Sequence, residues 1–168
     1  LLLFELLRPF DFTEPVVADL LERLDKQSGT IFLSCSHRIV VDRATLIIDK
    51  LTDQVLSNLT IHADSDLVIF GERQILISSS DDLNFKRNKD IAHIDADRLI
   101  FPLVLRKWQD GDRFMPLGME NFKKLSDFFI DEKISISEKE QIPILINGNG
   151  EIIWIVGWRQ DNRYKLTN

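Results

Sequence analysis

Apolar residues near the start of the chain recur with the period of a helix. After Thr13, a residue type that often caps helices, four apolar side chains stand at i, i+3, i+4 and i+7. They are Val17, Leu20, Leu21 and Leu24. Asp19 and Arg23 lie one turn apart on the polar side and can pair there. The pattern predicts an amphipathic helix that begins at Thr13 and ends at the pair Ser28–Gly29.

Short β-branched runs then replace the helical period, separated by small polar clusters. The predicted strands cover residues 30–33, 37–42, 45–49, 59–63, 67–70 and 74–78. The polar stretch 78–90 has no periodicity and predicts a linker or long loop. We therefore expect two parts, residues 1–90 and residues 91–168.

The second part has the signals of a small β-rich domain. Residues 99–106 and 152–156 are nearly continuous apolar runs, which is typical of buried strands, and Asn147–Gly150 predicts a hairpin turn. Leu125 and the two phenylalanines after it share one helix face between Lys123 and Glu132. The expected fold class is α+β, with an N-terminal helical segment, short and mostly antiparallel strands, and a β-rich C-terminal domain with one or two short helices.

Composition excludes some classes of protein. The 168 residues carry 21 basic and 27 acidic side chains, a net charge of −6, so a global positive field cannot drive binding and any nucleic-acid contact must be a local patch. Cys35 is the only cysteine, which excludes an intrachain disulfide and fits a reduced cytoplasm. The opening LLLFELL is too short for a membrane span or signal peptide and reads as the end of a helix. We expect no membrane contact.

Segment 106–133 interleaves basic residues with aromatic ones, as nucleic-acid surfaces do. The bases are Arg106, Lys107, Arg113, Lys123, Lys124 and Lys133, and the aromatics are Trp108, Phe114, Phe128 and Phe129. Six acidic residues balance these six bases, so a salt-bridged surface is an alternative interpretation.

Individual residues of this segment leave further alternatives. Lys123 can pair with Asp127, whereas Lys124 has no obvious partner and would face a phosphate. Asp112 could orient Arg113 or complete an Asx-turn. Trp108 could stack on a base or anchor the edge of the core.

Two arginines after the last strand leave a similar choice. Arg159 and Arg163 could line the same surface, or could pair with Asp161 and Glu151.

The residues indicate neither a catalytic nor a metal site. Asp127 and Asp131 share a helix face but have no nucleophile or further metal ligand beside them. The three histidines have no ligand spacing with Cys35, and His37 beside it fits a hairpin turn better than a thiol–imidazole pair.

Three motifs resemble the C-terminal domain of tRNA(Ile)-lysidine synthetase. They are R-x-W-x-x-G-D-R-F-x-P-x-G from Arg106, K-K-L-S-D-F-F-x-D-x-K from Lys123, and WIVGWRQDNR at 154–163. The resemblance covers residues 91–168 well and residues 13–43 more loosely, as a middle region of the family. Residues 135–140 depart from it, because the family commonly has Pro-Arg and a further Arg there.

The resemblance implies a non-catalytic part of a larger enzyme. In the family, an N-terminal domain with a Ser-Gly-Gly-x-Asp-Ser-type loop uses ATP, with Mg, to attach lysine to the wobble cytidine of an isoleucine tRNA. No such loop occurs here, so we expect this chain alone to be inactive and to have no cofactor of its own.

The implied partners are tRNA(Ile), through its acceptor stem or body, and the missing catalytic domain, with a homodimer left open. The expected tRNA contacts are Arg106, Lys107, Arg113, Lys123, Lys124, Lys133, Arg159 and Arg163. The alternative is a structural or dimerisation module that packs against the catalytic domain.

Overall fold

The computed structural model describes residues 2–24, 29–51, 58–81 and 88–167. The chain divides into two compact units. The first comprises Leu1–Val55 with Ser135–Glu138, and the second comprises Leu56–Ile134 with Lys139–Asn168. In the described part of the chain, no helix has the length and apolar character of a membrane span.

The first unit packs two helices on a three-stranded antiparallel sheet of order β1-β2-β3. Its elements are α1 (Leu2–Leu7), α2 (Glu14–Arg23), β1 (Ile31–Leu33), β2 (His37–Asp42) and β3 (Thr45–Lys50). Val17 and Leu20 are buried, Leu24 packs against the same cluster, and Arg23 Nε donates to Asp19 Oδ1 over 2.7 Å, as predicted. The placement of Leu21 on the buried face is wrong, because this side chain is 51% exposed. The predicted helix end at 25–28 lies outside the described residues.

The second unit is built on a five-stranded sheet of order β12-β11-β10-β7-β4, in which every neighbouring pair is antiparallel. The remaining strands form two separate ribbons, β5–β6 and β8–β9. The strands are β4 (Leu59–Ile61), β5 (Leu67–Phe70), β6 (Arg73–Leu76), β7 (Leu103–Arg106), β8 (Arg113–Phe114), β9 (Lys123–Lys124), β10 (Ile144–Ile146), β11 (Ile152–Ile155) and β12 (Arg159–Gln160). The α-helix of this unit is α3 (Leu125–Asp131); the next helix, α4 (Ile136–Lys139), lies mostly in the segment Ser135–Glu138 that belongs to the first unit. Three short 3-10 helices, Arg8–Phe10, Ala96–Arg98 and Asn162–Tyr164, are also described. The predicted α+β class is confirmed.

Apolar side chains cover both faces of the five-stranded sheet. Along β10, Ile144 and Ile146 belong to one cluster, whereas Leu145 belongs to another, as expected from alternation along a strand. The first cluster includes Phe128 of α3, and the second includes Trp154 of β11. These two aromatic side chains are 3% and 8% exposed, which confirms that they are core residues.

The predicted hairpin at Asn147–Gly150 joins β10 to β11. The backbone of Ile100 packs against this turn and holds it in place. Asn147 is 2% exposed, and its Oδ1 accepts a hydrogen bond from Ile100 N over 2.7 Å. Gly148 N donates to Ile100 O over 2.8 Å, and a Cβ on this glycine would lie only 2.3 Å from that oxygen. Glycine is therefore needed at 148 because the two backbones lie too close for a side chain.

Three features differ from the sequence expectation. The buried strand predicted over 99–106 begins only at Leu103, where pairing with β4 starts, and Ile100 and Phe101 before it are 52% and 40% exposed. Lys123 and Lys124 form β9 and do not begin the helix, because they pair with β8; α3 starts at Leu125. Strand β4 pairs with β7, so residues 59–61 belong to the C-terminal sheet. The two compact units divide between Val55 and Leu56. The predicted boundary between the two family domains, near residue 90, stays a prediction. Residues 82–87 of the predicted linker 78–90 lie outside the described part of the chain.

Candidate nucleic-acid interface

The ribbon β8–β9 places two cations directly opposite each other. Arg113 pairs with Lys124, and Phe114 pairs with Lys123. Phe114 is fully buried in the first cluster, whereas Arg113 and Lys124 are exposed on the other side of the ribbon. Leu125 N donates to Asp112 O over 2.8 Å, so residues 112 and 125 form a hydrogen-bonded pair. Because hydrogen-bonded and non-hydrogen-bonded pairs alternate along antiparallel strands, Arg113 and Lys124 form a non-hydrogen-bonded pair, in which facing side chains lie closest.

We call Arg113 and Lys124 the cation pair. Within the described ranges, neither side chain has an acidic partner. Like charges directly opposite each other on a sheet destabilise it. The cation pair therefore does not serve the stability of the ribbon, and its charge is available to an anion from outside.

Lys123 is held by an acid, but not by the one that the sequence indicated. Its Nζ forms an ion pair with Asp131, at the end of α3, and not with Asp127. The i,i+4 rule fails because Lys123 lies in a strand, where that spacing does not bring side chains together. Its charge is thus neutralised locally.

Arg106 is also engaged within the protein. Its Nη1 and Nη2 donate to the two oxygens of Asp112 over 2.9 and 2.8 Å, and the two side chains are 13% and 12% exposed. Asp112 Oδ2 further accepts from Gln109 N over 2.7 Å and so closes the turn before β8. Asp112 thus orients Arg106, and the hypothesis that it orients Arg113 is wrong.

Arg163 lies in a network of carboxylates. Its Nε and Nη2 donate to Asp161 over 3.0 and 2.9 Å, and its Nη1 lies 2.6 Å from Glu151 Oε1. Asp161 is fully buried, and its hydrogen bonds raise the pKa of Arg163. Of the two roles left open for Arg163, the structure shows the ion pairs with Asp161 and Glu151.

Tyr164 extends this network. Its hydroxyl donates to Glu151 Oε2 over 2.6 Å, and this bond, together with the charge of Arg163, lowers the pKa of Glu151. The pKa of Tyr164 is raised mainly by burial and, to a smaller extent, by its hydrogen bond to Glu151. The network ties Glu151, directly before β11, to the C-terminal residues Asp161, Arg163 and Tyr164.

The two aromatic residues of the region that lie outside the core have different surroundings. Trp108 packs against the first cluster, edge-on to Phe129, and Lys139 Nζ lies 4.7 Å from its ring centre, so it anchors the core edge. Phe122 is 55% exposed, and the Arg163 guanidinium carbon lies over its ring at 4.9 Å. Sequence reasoning missed Phe122; the available signal was an aromatic outside the helix period, directly before two lysines.

Three predicted contacts remain. Lys133 and Arg159 are exposed and Lys107 is half-buried, and none has an ion pair within the described residues. Arg159 lies in β12, next to Gln160, whose carbonyl accepts a hydrogen bond from Leu117 N. The eight predicted cations therefore separate into three neutralised by acids (Arg106, Lys123, Arg163) and five that are not.

Two family models match this chain. The model described as the TilS substrate binding domain matches residues 1–51, and the model described as the TilS substrate C-terminal domain matches residues 103–168. Together they cover more than half of the chain.

Relatives match along nearly the whole chain. The tRNA(Ile)-lysidine synthase of Parabacteroides distasonis is 37% identical over 169 residues, which are 98% of this chain and 38% of that protein. The enzyme of the same name from Bacteroides thetaiotaomicron is 36% identical and covers 98% of this chain and 36% of its own length. A crystal structure of the TILS C-terminal domain has a TM-score of 0.47 and 27% identity over 51% of this chain and 65% of that one. The chain spans less than two fifths of the length of these two synthases, and it belongs to the tRNA(Ile)-lysidine synthase family.

Proposed function

We propose that this chain binds tRNA through the cation pair, with the phosphate backbone as the anion. The observation that supports the proposal is the pairing of Arg113 with Lys124 at one cross-strand position without an acid beside them. Phosphate contacts position a protein on RNA, and two adjacent cations on a rigid ribbon suit two neighbouring phosphates. The proposal keeps exposed Lys133 and Arg159, and half-buried Lys107, as further phosphate contacts, whereas Arg106, Lys123 and Arg163 are held by acidic side chains.

The proposed substrate is an isoleucine tRNA, held by its acceptor stem or body. A stem of double-stranded RNA is recognised mostly by shape, phosphates and 2′-hydroxyls, so a patch of cations on a rigid ribbon is sufficient for it. The binding would position the tRNA for attachment of lysine to its wobble cytidine in the cytoplasm.

The lysine attachment itself would be carried out by an N-terminal catalytic domain with ATP and Mg²⁺. The residues of this chain do not suit those groups. Among the described residues, no three His, Cys, Asp or Glu side chains are grouped as metal ligands. The sequence also has no pair of adjacent glycines that could form the expected phosphate loop.

The test is RNA binding by charge variants of the full-length protein at several salt concentrations. We expect Arg113→Gln and Lys124→Gln each to weaken binding to tRNA and to lower the slope of log K against log salt by about 0.7 to 0.9. Lys165→Gln is the matched control, because Lys165 is an exposed cation that is not among the predicted tRNA contacts.

Arg113→Glu sharpens the test. The new carboxylate would face Lys124 across the ribbon, so we expect the fold to be as stable as the parent or slightly more stable, while RNA binding falls further than with glutamine. Unchanged tRNA affinity and salt slope in all three variants would refute the proposed function.

A second candidate function rests on the ribbon β5–β6. Leu67 pairs with Leu76, and Ile69 lies two residues along on the same side; these side chains are 49%, 82% and 57% exposed. Such an apolar face favours packing against the catalytic domain or against a second copy. Leu76→Ser would then change the sedimentation of the full-length protein and leave the salt slope of tRNA binding unchanged.

A further inference from the structure

Phe122 lies on the same side of the chain as the cation pair. It directly precedes β9, and exposure alternates from it: Phe122 is exposed, Lys123 half-buried, Lys124 exposed and Leu125 buried. Because side chains two residues apart in an extended chain point the same way, Phe122 and Lys124 face solvent together, about 7 Å apart along the backbone. An aromatic ring therefore lies beside the proposed phosphate contacts.

The ring of Phe122 is braced from one side. The guanidinium of Arg163 lies over it at 4.9 Å and is itself fixed by Asp161 and Glu151. Asp161 has no exposed surface and also accepts a hydrogen bond from Met115 N over 2.8 Å, so the support reaches into the body of the unit. A cation held over a ring attracts its π-electrons and limits its motion.

Burial does not account for this arrangement. More than half of the Phe122 surface stays in water, so the ring adds little to the core. A rigid aromatic ring with an open side, next to cations that hold a backbone, is how proteins bind unstacked bases. Within a helix the neighbouring base pairs cover both faces of a base, whereas an unpaired base has a free face.

We infer that Phe122 stacks on an unpaired RNA base whose flanking phosphates are bound by Lys124 and Arg113. This inference rests on the proposed function and adds to it a ligand class, a stem with a single-stranded extension. Arg163 is a positioning residue in this arrangement, because it acts through the ring and does not contact the base.

The experiment compares two RNA hairpins of identical stem, one blunt and one with a four-nucleotide 3′ extension, bound to the full-length protein. We expect the parent to prefer the extended hairpin, and Phe122→Leu to lose about 5- to 100-fold of that preference while its affinity for the blunt hairpin is unchanged. Phe122→Trp should keep the preference, because it retains a flat ring. Phe101→Leu is the matched control, since Phe101 is also a partly exposed aromatic, at 40%.

Stacking and the proposed function can fail separately. If Phe122→Leu keeps the full preference, or the parent has none, stacking is refuted; Arg113→Gln and Lys124→Gln still decide the proposed function through the blunt hairpin. If Phe122→Leu instead changes sedimentation without RNA and leaves the preference intact, the ring is a protein contact and the inference is also refuted. An unchanged melting temperature in Phe122→Leu is expected because the ring lies outside the core.

Discussion

The ion pair between Arg106 and Asp112 offers the sharpest test of how the segment before β8 is held. Asp112→Asn replaces the carboxylate by a neutral amide, which keeps one oxygen for Gln109 N but removes the charge that faces the guanidinium. Arg106→Met removes the other partner and keeps much of the apolar stem of the side chain. The sequence motif had suggested that Arg106 contacts RNA; the structure assigns it to this pair.

The expected cost follows from burial and geometry. Exposed ion pairs contribute about 0 to 1 kcal/mol, whereas removing one partner of a fully buried pair costs about 3 to 5 kcal/mol. The two side chains are 13% and 12% exposed and share two hydrogen bonds, so they lie near the buried limit. We expect each single variant to lose about 2 to 3 kcal/mol, and the double variant to lose about 1 to 2 kcal/mol less than the sum.

Urea denaturation followed by tryptophan fluorescence measures this cost in the relevant unit. All three tryptophans (Trp108, Trp154 and Trp158) lie in the second unit, so their signal reports its unfolding. The midpoint should fall in both single variants at an unchanged m-value. Asp110→Asn is the control, because this exposed acid lies two residues away and has no ion pair within the described residues.

Two results would refute the reasoning. An unchanged midpoint in Asp112→Asn would mean that the pair contributes nothing to the fold. A normal midpoint in Arg106→Met together with weakened tRNA binding would show that Arg106 contacts RNA, as the motif alone had suggested.

Three further predictions concern the core, the hairpin and the acid stability of the second unit. Trp154→Ala and Phe128→Ala should each cost about 3 to 5 kcal/mol in urea denaturation, and a midpoint that barely moves in both would contradict their core role. Gly148→Ala should lower the melting temperature more than Asn149→Ala, because the first places a Cβ 2.3 Å from Ile100 O, whereas the second removes only the exposed hydrogen bond from Glu151 N to Asn149 Oδ1; equal melting temperatures would contradict this. The pKa of Glu151 lies below its ordinary 4.5 in the fold, so its carboxylate stabilises the protein fully above that pH and loses this effect as the pH falls through the folded pKa. Glu151→Gln should thus be less stable than the parent at pH 7, and the difference measured by thermal melting should shrink below about pH 4.5; a constant difference would argue against the network.

Local signals in the sequence determined much of the secondary structure. The apolar period after Thr13 predicted α2, the β-branched runs predicted β1 to β6, and Asn147–Gly150 predicted the hairpin between β10 and β11. These features depend on side-chain alternation and on turn residues, which act over a few positions of the chain. The family was also readable from the motifs, because they are local strings of residues.

The tertiary structure decided which cations are available to a ligand. Arg106, Lys123 and Arg163 have the same chemistry as Arg113 and Lys124, and only the fold shows that acids neutralise the first three. Lys123 pairs eight residues along the chain, beyond the i,i+4 reach of sequence rules, because a strand and a helix end meet there. Similarly, the pairing of β4 with β7, more than forty residues apart, had no local signal. Charge along a chain is a property of sequence, whereas the distance between charges is set by how the strands pack.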